Sequence, residues 1–323
     1  MIRAGFVHQA LRYGSDAAFL AATADFVTDG LDAGDPVLAV LTAHNIALLD
    51  EALGDRSGGV EFVDARDWYD YPSRTLGRYH TYCDRHGPDR RVRIIGEPLW
   101  AGRGAFETRE WMRYESLLNV AFADSAHWIL CPYDTRTLPA DIVRTAARTH
   151  PELTDGAADF TDPADFYAEC DALRPRSLPA CPDDIPFARG GSAAVRQGLA
   201  GYARRAGLPE QRTYDLVAAV HETVVNALRY GGGRGVVRLR GDGEYVICEV
   251  RDEGAHTSAP RPPFPGHLPP SGPAAPGGHG MWLVRQLTDL VTEDLDPSGS
   301  VVQLYFRRPE GRPSDRPGDR LGG

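Results

Sequence analysis

His221-Glu222-Thr223-Val224-Val225-Asn226-Ala227-Leu228-Arg229-Tyr230-Gly231 decides how the second half of this chain is read. It closes a longer segment, TYDLVAAVHETVVNALRYG, in which Leu216, Val217, Val220, Val224 and Ala227 recur at helical spacing. That period predicts an amphipathic helix. Glu222 and Asn226 stand four residues apart, so they share one face, a turn from each other. A carboxylate beside a carboxamide suits a magnesium-nucleotide site. The amide oxygen can ligate the hard cation while the carboxylate polarises an attacking hydroxyl or water. Taken alone, an E-x-x-x-N pair is equally a solvated helix face.

Two further segments follow in order. YVICEVRDEG reads as an apolar strand ending in Asp252-Glu253-Gly254. An aspartate there can accept a hydrogen bond from an exocyclic amine such as that of adenine, although the tripeptide by itself is an ordinary turn. Gly277-Gly278-His279-Gly280-Met281-Trp282-Leu283-Val284 then leads glycines into an apolar helix. Glycines at a helix start let phosphates approach free backbone N–H groups and the positive end of the dipole. A flexible loop meeting a helix would read the same way.

In this order the three segments resemble the N, G1 and G2 boxes of the Bergerat-type ATP-binding fold. Within that superfamily the wording N-A-L-R-Y-G and G-M-W-L-V-R-Q-L-T-D-L-V is similar to the anti-sigma regulatory factors (RsbW-like), over about Ser192 to Arg308. The resemblance implies ATP and Mg²⁺ as cofactors, with Asn226 holding the metal and Glu222 as catalytic base. It further implies that Asp252 reads adenine, that Gly254 belongs to the cofactor site, that Gly278 and Gly280 cradle phosphates, and that Arg229 is a charge partner. The family's D-x-G-x-G pattern is not complete here, because its second glycine position holds His256.

The chain has 323 residues, enough for two domains with separate cores, and a net charge of −10. With no basic run, direct nucleic-acid binding is not expected. No apolar run reaches membrane-spanning length, and the start MIRAGFVHQALRYGSD is interrupted by polar residues. Those features predict a cytoplasmic protein without membrane contact. Its five cysteines show neither a C-x-x-C pair nor zinc spacing, and Cys131 and Cys248 read as small buried hydrophobes in strands. Lysine is absent, which excludes a Walker A lysine and Schiff-base chemistry.

Residues 1–153 alternate helical and strand patterns, predicting an α/β domain around a largely parallel sheet. Residues 154–190, rich in Asp, Pro and Ala, read as a linker with one short helix near Phe166–Leu173. Residues 191–309 are expected to form the α+β Bergerat-fold domain that the resemblance implies, and 310–323 a disordered tail. The Pro/Gly-rich stretch 257–276 suits a mobile lid over a nucleotide.

In open α/β sheets, ligands collect at the carboxyl ends of strands. Here PVLAVLT ends in Thr42 and His44, RVRIIG in Glu97, and HWILCPY in Asp134. Glu115 and Asn119, again four apart, could face the same region. Each residue singly is as well explained by loop capping. The words F-V-H-Q-A-L-R-Y, R-I-I-G-E-P-L-W-A-G-R, Y-E-S-L-L-N-V-A-F-A, L-C-P-Y-D-T and T-H-P are more specific, and resemble the MEDS sensory domain. That resemblance implies a RecA/KaiC-like fold without a working P-loop, and a small-molecule ligand. It carries over His8, Tyr13, Glu97, Trp100, Arg103, Glu115, Asn119, Cys131, Tyr133, Asp134 and His150 as candidates. Taken singly, Trp100 and Tyr133 read as core aromatics, and His8 and His150 as satisfied structural histidines.

Three functions are open to such a chain. The first is an anti-sigma regulator that phosphorylates a serine or threonine of a STAS-type antagonist and holds a sigma factor. The second, a sensor histidine kinase, needs a phosphoacceptor just before the ATPase domain, and no histidine lies between His150 and His221. The third is a non-enzymatic module that binds sigma factor or antagonist, a reading that His256 keeps open.

Overall fold

The apolar runs VLAVL, RIIG and WILCPYD enter one sheet that is covered on both faces, which is why they lack the alternation of a half-exposed strand. A computed structural model of the protein describes residues 5–87, 90–254, 263–270, 279–296 and 298–309. The chain divides into two compact units, with the boundary between Leu173 and Arg174.

In the first unit the order is β1 (Val7–Tyr13), α1 (Asp16–Ala33), β2 (Val37–Leu41), α2 (Ala43–Leu53), β3 (Val60–Asp64), α3 (Ala65–Trp68) and α4 (Pro72–Arg85). Then follow β4 (Arg93–Gly96), α5 (Ala105–Ala121), β5 (Trp128–Asp134), α6 (Ala140–Thr149), β6 (Glu152–Leu153) and α7 (Pro163–Ala172). Its six strands run in the spatial order β3-β2-β4-β5-β1-β6, every pairing parallel. This is the parallel α/β architecture that the alternating pattern predicts. Side chains alternate across the sheet. Leu11 and Tyr13 of β1, with Leu130 of β5, pack in one core with Phe19, Phe26 and Leu49 of α1 and α2. By strand alternation His8, Ala10 and Cys131 face the other side.

The second unit contains β7 (Ile185–Ala188), α8 (Ser192–Arg205), α9 (Glu210–Tyr230), β8 (Arg234–Gly241), β9 (Tyr245–Asp252), α10 (His279–Leu287), β10 (Leu290–Asp294) and β11 (Val301–Arg307). Its sheet is antiparallel throughout, in the order β10-β11-β9-β8-β7. Leu216, Val220, Val224 and Ala227 of α9 share one core with Val237, Val246, Cys248, Val250, Leu304 and Phe306 of the strands. Each large apolar side chain buried this way stabilises by about 1.5–3 kcal/mol. The apolar stripe of α9 is thus committed to the sheet, which turns Glu222 and Asn226 away from the core.

The stretch 154–190, read as a linker with one short helix near Phe166–Leu173, holds that helix as α7 and also the edge strand β7. A four-residue strand is too short to give a periodic signal. Residues just before β7 are bound to the second unit by hydrogen bonds. Buried Glu249 accepts from Ser177 Oγ (2.8 Å), Leu178 N (2.6 Å) and Gln303 Nε2 (2.9 Å). Arg238 Nη1 donates to Leu178 O at 2.8 Å. These bonds satisfy a carboxylate that would otherwise be buried at high cost. No helix among the described residues is long and apolar enough to cross a membrane.

Candidate functional site

In the second unit, Glu222 and Asn226 are half-buried on α9, and the first turn of α10 lies against them. A Cβ on Gly280 would sit 3.3 Å from Asn226 Nδ2 and 3.4 Å from Glu222 Oε2. Any larger residue would press on both side chains, so glycine is what lets a helix start come this close to a carboxylate-carboxamide pair. N–H groups at a helix start carry partial positive charge, which would favour an anion beside Asn226.

The same helix α9 ends at Gly231 against Asp252. A Cβ at Gly231 would be 2.3 Å from Asp252 Oδ2. Asp252 is buried at the end of β9, and its Oδ1 accepts from Gly254 N at 2.8 Å and Ser300 N at 3.0 Å. Two backbone donors therefore hold the carboxylate in one orientation. Gly254 turns the chain away with a φ of 76°. Arg229 stands exposed in the last turn of α9, its guanidinium 5.9 Å from the Tyr230 ring centroid. Gly278, His256 and the expected tail 310–323 lie outside the described residues.

The stretch 257–276, read as a lid, is described only at 263–270. That part is anchored: Arg285 Nε donates to Pro265 O at 2.9 Å, and Gly266 packs on the backbone of Met281. Arg285 itself is buried and pairs with buried Glu293. Composition gave no sign of this anchor, because its ion pair joins α10 to a strand that follows it.

The first unit separates its candidates into groups. At the carboxyl edge of the sheet, Glu97 Oε2 accepts from Thr42 N at 2.8 Å, and its Oε1 from Asn45 Nδ2 at 2.8 Å. Tyr13 Oη accepts from Asn45 Nδ2 at 3.0 Å. Burial raises the Glu97 carboxyl above the usual carboxylate range and the Tyr13 phenol likewise above its own. Beside them Asp134 is tied to Arg136, which also reaches Asp16 at 2.9 Å, and His44 meets Asp16 at 3.3 Å. Thr42, His44, Glu97 and Asp134 do collect where the strand ends predict, and Tyr13, carried over from the MEDS resemblance, joins them.

Glu115 and Asn119 do not. They face His8 near the start of β1, with His8 Nδ1 3.1 Å from Asn119 Oδ1 and His8 Nε2 3.7 Å from Glu115 Oε2. His150, just after α6, brings its Nε2 to 3.5 Å from the same Glu115 oxygen. Cys131 Sγ lies 3.5 Å from His8 Nε2, and the two imidazole centroids are 3.9 Å apart. Burial first, then the neighbouring His150, pushes His8 down to about 4, and burial pushes the Cys131 thiol well up. Tyr133 is buried beside the group, its ring 5.6 Å from that of His150. Trp100 packs 6.3 Å from Tyr133 as a core aromatic. Arg103 is structural, bonded to Leu99 O, Glu107 and Tyr69 O and stacked on Trp111. Asn45, absent from the sequence candidates, carried no signal beyond its place near the start of a helix.

Comparisons with known proteins agree with this division. Residues 7–151 match the family model of MEDS, the MEthanogen/methylotroph, DcmR Sensory domain. Residues 189–306 match that of the Histidine kinase-like ATPase domain. The chain therefore carries a MEDS domain in its N-terminal half and a histidine kinase-like ATPase domain in its C-terminal half. No curated protein matches the chain. Among solved structures, the RsbU and RsbW domains of Rv1364c from Mycobacterium tuberculosis match at 19% identity with a TM-score of 0.27. That match covers 42% of this chain and 35% of the other, so the chain spans about a third of that structure's length.

Proposed function

We propose that this protein is an ATP-dependent anti-sigma regulator acting in the cytoplasm. In this reading the C-terminal domain binds ATP with Mg²⁺ and phosphorylates a serine or threonine of a STAS-type antagonist, or holds a sigma factor. The MEDS domain supplies a sensory input through a small ligand. One observation carries the reading: Gly280, in the first turn of α10, lies on the Glu222–Asn226 pair, a placement that would bring a phosphate cradle to a metal ligand and a base. Family membership of residues 189–306 supports nucleotide binding.

Asn226 would hold Mg²⁺ through its amide oxygen, and the ion supplies charge neutralisation on the phosphates. Asp252, fixed by Gly254 N and Ser300 N, would present its other oxygen to an adenine amine. Glu222 would accept the proton as the acceptor hydroxyl oxygen attacks the γ-phosphorus. The bond to the β–γ bridging oxygen then breaks, and ADP leaves. The runner-up is a non-enzymatic module that binds the same partners, favoured by His256 at the second glycine position of the G1 pattern.

Radiolabel transfer from ATP to purified antagonist separates the two. Glu222→Gln is expected to lower transfer by about 10²–10⁴-fold, the span of lost general-base catalysis. A wild-type chain that binds ATP yet labels no antagonist, with Glu222→Gln behaving identically, would replace the kinase by the binding module.

A further inference from the structure

We propose that the MEDS domain holds one zinc-class divalent ion, coordinated by His8 Nε2, Glu115, Cys131 Sγ and His150 Nε2. The four donor atoms all lie within 4.8 Å of one another, and all four residues are buried. Bonds of about 2.0–2.1 Å to nitrogen and oxygen and about 2.3 Å to sulfur, at tetrahedral angles, imply donor-donor edges of about 3.3–3.6 Å. The edges His150–Glu115 at 3.5 Å, Cys131–His8 at 3.5 Å and His8–Glu115 at 3.7 Å are close to those values. The two imidazole-carboxylate separations are also too long for hydrogen bonds. Glu115 Oε2 and His150 Nε2 are accordingly buried without a hydrogen-bond partner. Groups left so are costly unless something small and positive stands between them.

The surrounding hydrogen bonds fix which imidazole nitrogens point inward. Asn119 Nδ2 donates to Ser116 O at 3.0 Å and Thr149 O at 2.8 Å. Its Oδ1 is therefore the atom facing His8, and His8 Nδ1 must be the donor. His150 Nδ1 faces Ala146 O at 2.9 Å, a group that can only accept. As neutral imidazoles, both rings thus carry their proton on Nδ1 and aim the Nε2 lone pair at a carboxylate oxygen. Without a cation the Cys131 thiol can donate to His8 Nε2, but the His150 lone pair and the Glu115 carboxylate oxygen face each other at 3.5 Å with nothing between them. With a cation the four groups form a closed N₂OS set whose histidines are braced from behind, as metal-bound histidines usually are.

Zinc suits this set better than calcium or magnesium, which prefer all-oxygen shells. The thiol would give up its proton on binding. The ligands come from β1, α5, β5 and the end of α6, so the ion ties both helices to the sheet. Four protein ligands with no open position make the site structural, and occupancy becomes part of the stability of the domain.

The test is metal content and cobalt spectroscopy on the full chain, expressed with zinc and dialysed against metal-free buffer. The expected result is about one equivalent of zinc per chain. Exchange into cobalt should give a sulfur-to-cobalt charge-transfer band, lost in Cys131→Ser and kept in Cys248→Ser. Glu115→Gln and Asn119→Ala should each weaken zinc binding by about tenfold or more. Wild-type protein that is well folded by circular dichroism, retains no zinc and gives no cobalt-thiolate band would overturn the proposal. So would a band that survives Cys131→Ser. Should a variant fail to fold, the wild-type cobalt spectrum still decides.

Discussion

The polar groups of the two units are buried to different depths, and that difference separates two kinds of ligand. In the MEDS domain, His8, Glu115, Cys131 and His150 are sealed between helices and sheet, their donor atoms already at metal-ligand spacing. In the ATPase-like domain, Glu222 and Asn226 are half-exposed, and what packs over them is a glycine at a helix start. A sealed cluster with unpaired donors suits an ion that enters once. A half-exposed pair suits a ligand that comes and goes.

That contrast can be broken by substitution. The largest effect is expected at a buried pair of the second unit that has its partner. Arg285→Ala takes the guanidinium away from buried Glu293, which His267 Nε2 approaches at 3.9 Å from the other side, and should cost about 3–5 kcal/mol in the unfolding transition of the C-terminal unit. Chemical denaturation followed by tryptophan fluorescence and circular dichroism would measure it; a loss under about 1 kcal/mol would mean that water reaches Glu293. In the first unit, Tyr69 and Tyr79 share a hydroxyl-hydroxyl hydrogen bond of 2.5 Å in the core. Tyr79→Phe strands the Tyr69 hydroxyl and should cost about 1–3 kcal/mol by the same measurement.

A smaller effect should appear in binding. Gly280→Ala places a methyl 3.3 Å from the Asn226 amide nitrogen. Nucleotide affinity should fall by about tenfold, equivalent to about 1.4 kcal/mol, with little change in the unfolding midpoint. Unchanged affinity would show that the start of α10 does not approach the phosphates. Smallest of all is His44→Ala, which removes a pair with Asp16 that is open to solvent on both sides. No measurable shift of midpoint is expected, because exposed ion pairs contribute little.

Much of this architecture was legible in the sequence, for reasons that can be named. The 3.6-residue period from Leu216 to Ala227 predicts the face of α9 that meets the sheet, and so leaves Glu222 and Asn226 on the other face. Strands buried on both sides read as unbroken apolar runs, and β2, β4 and β5 are such runs. Gathering at the strand ends was likewise predictable for Thr42, His44, Glu97 and Asp134. What stayed hidden is whatever depends on long-range contact. His8 and His150 each look like a lone structural histidine, since 141 residues separate them along the chain. Only the pairing of β6 with β1, at Gln9↔Glu152 and Ala10↔Leu153, brings the end of α6 beside His8. Glu115 and Asn119 do share a helix face, but periodicity does not say which end of the sheet that face meets. The strapping of residues 176–178 by Glu249, Arg238 and Gln303 is invisible for a similar reason. Their partners lie about 60–130 residues away and leave no local pattern.

The most direct test of the central claim is calorimetric titration of ATP·Mg²⁺ into the full chain, wild type beside Asn226→Ala and Glu222→Gln. Saturable binding at one site is expected for wild type, nearly unchanged for Glu222→Gln, because the amide keeps the size and shape of the side chain without its proton-accepting charge. Asn226→Ala should lose about tenfold to a hundredfold in affinity, the loss expected when the metal beside the phosphates is disturbed. Wild-type affinity in Asn226→Ala, or no binding by the wild-type chain, would contradict the assignment of this pair to a magnesium-nucleotide site.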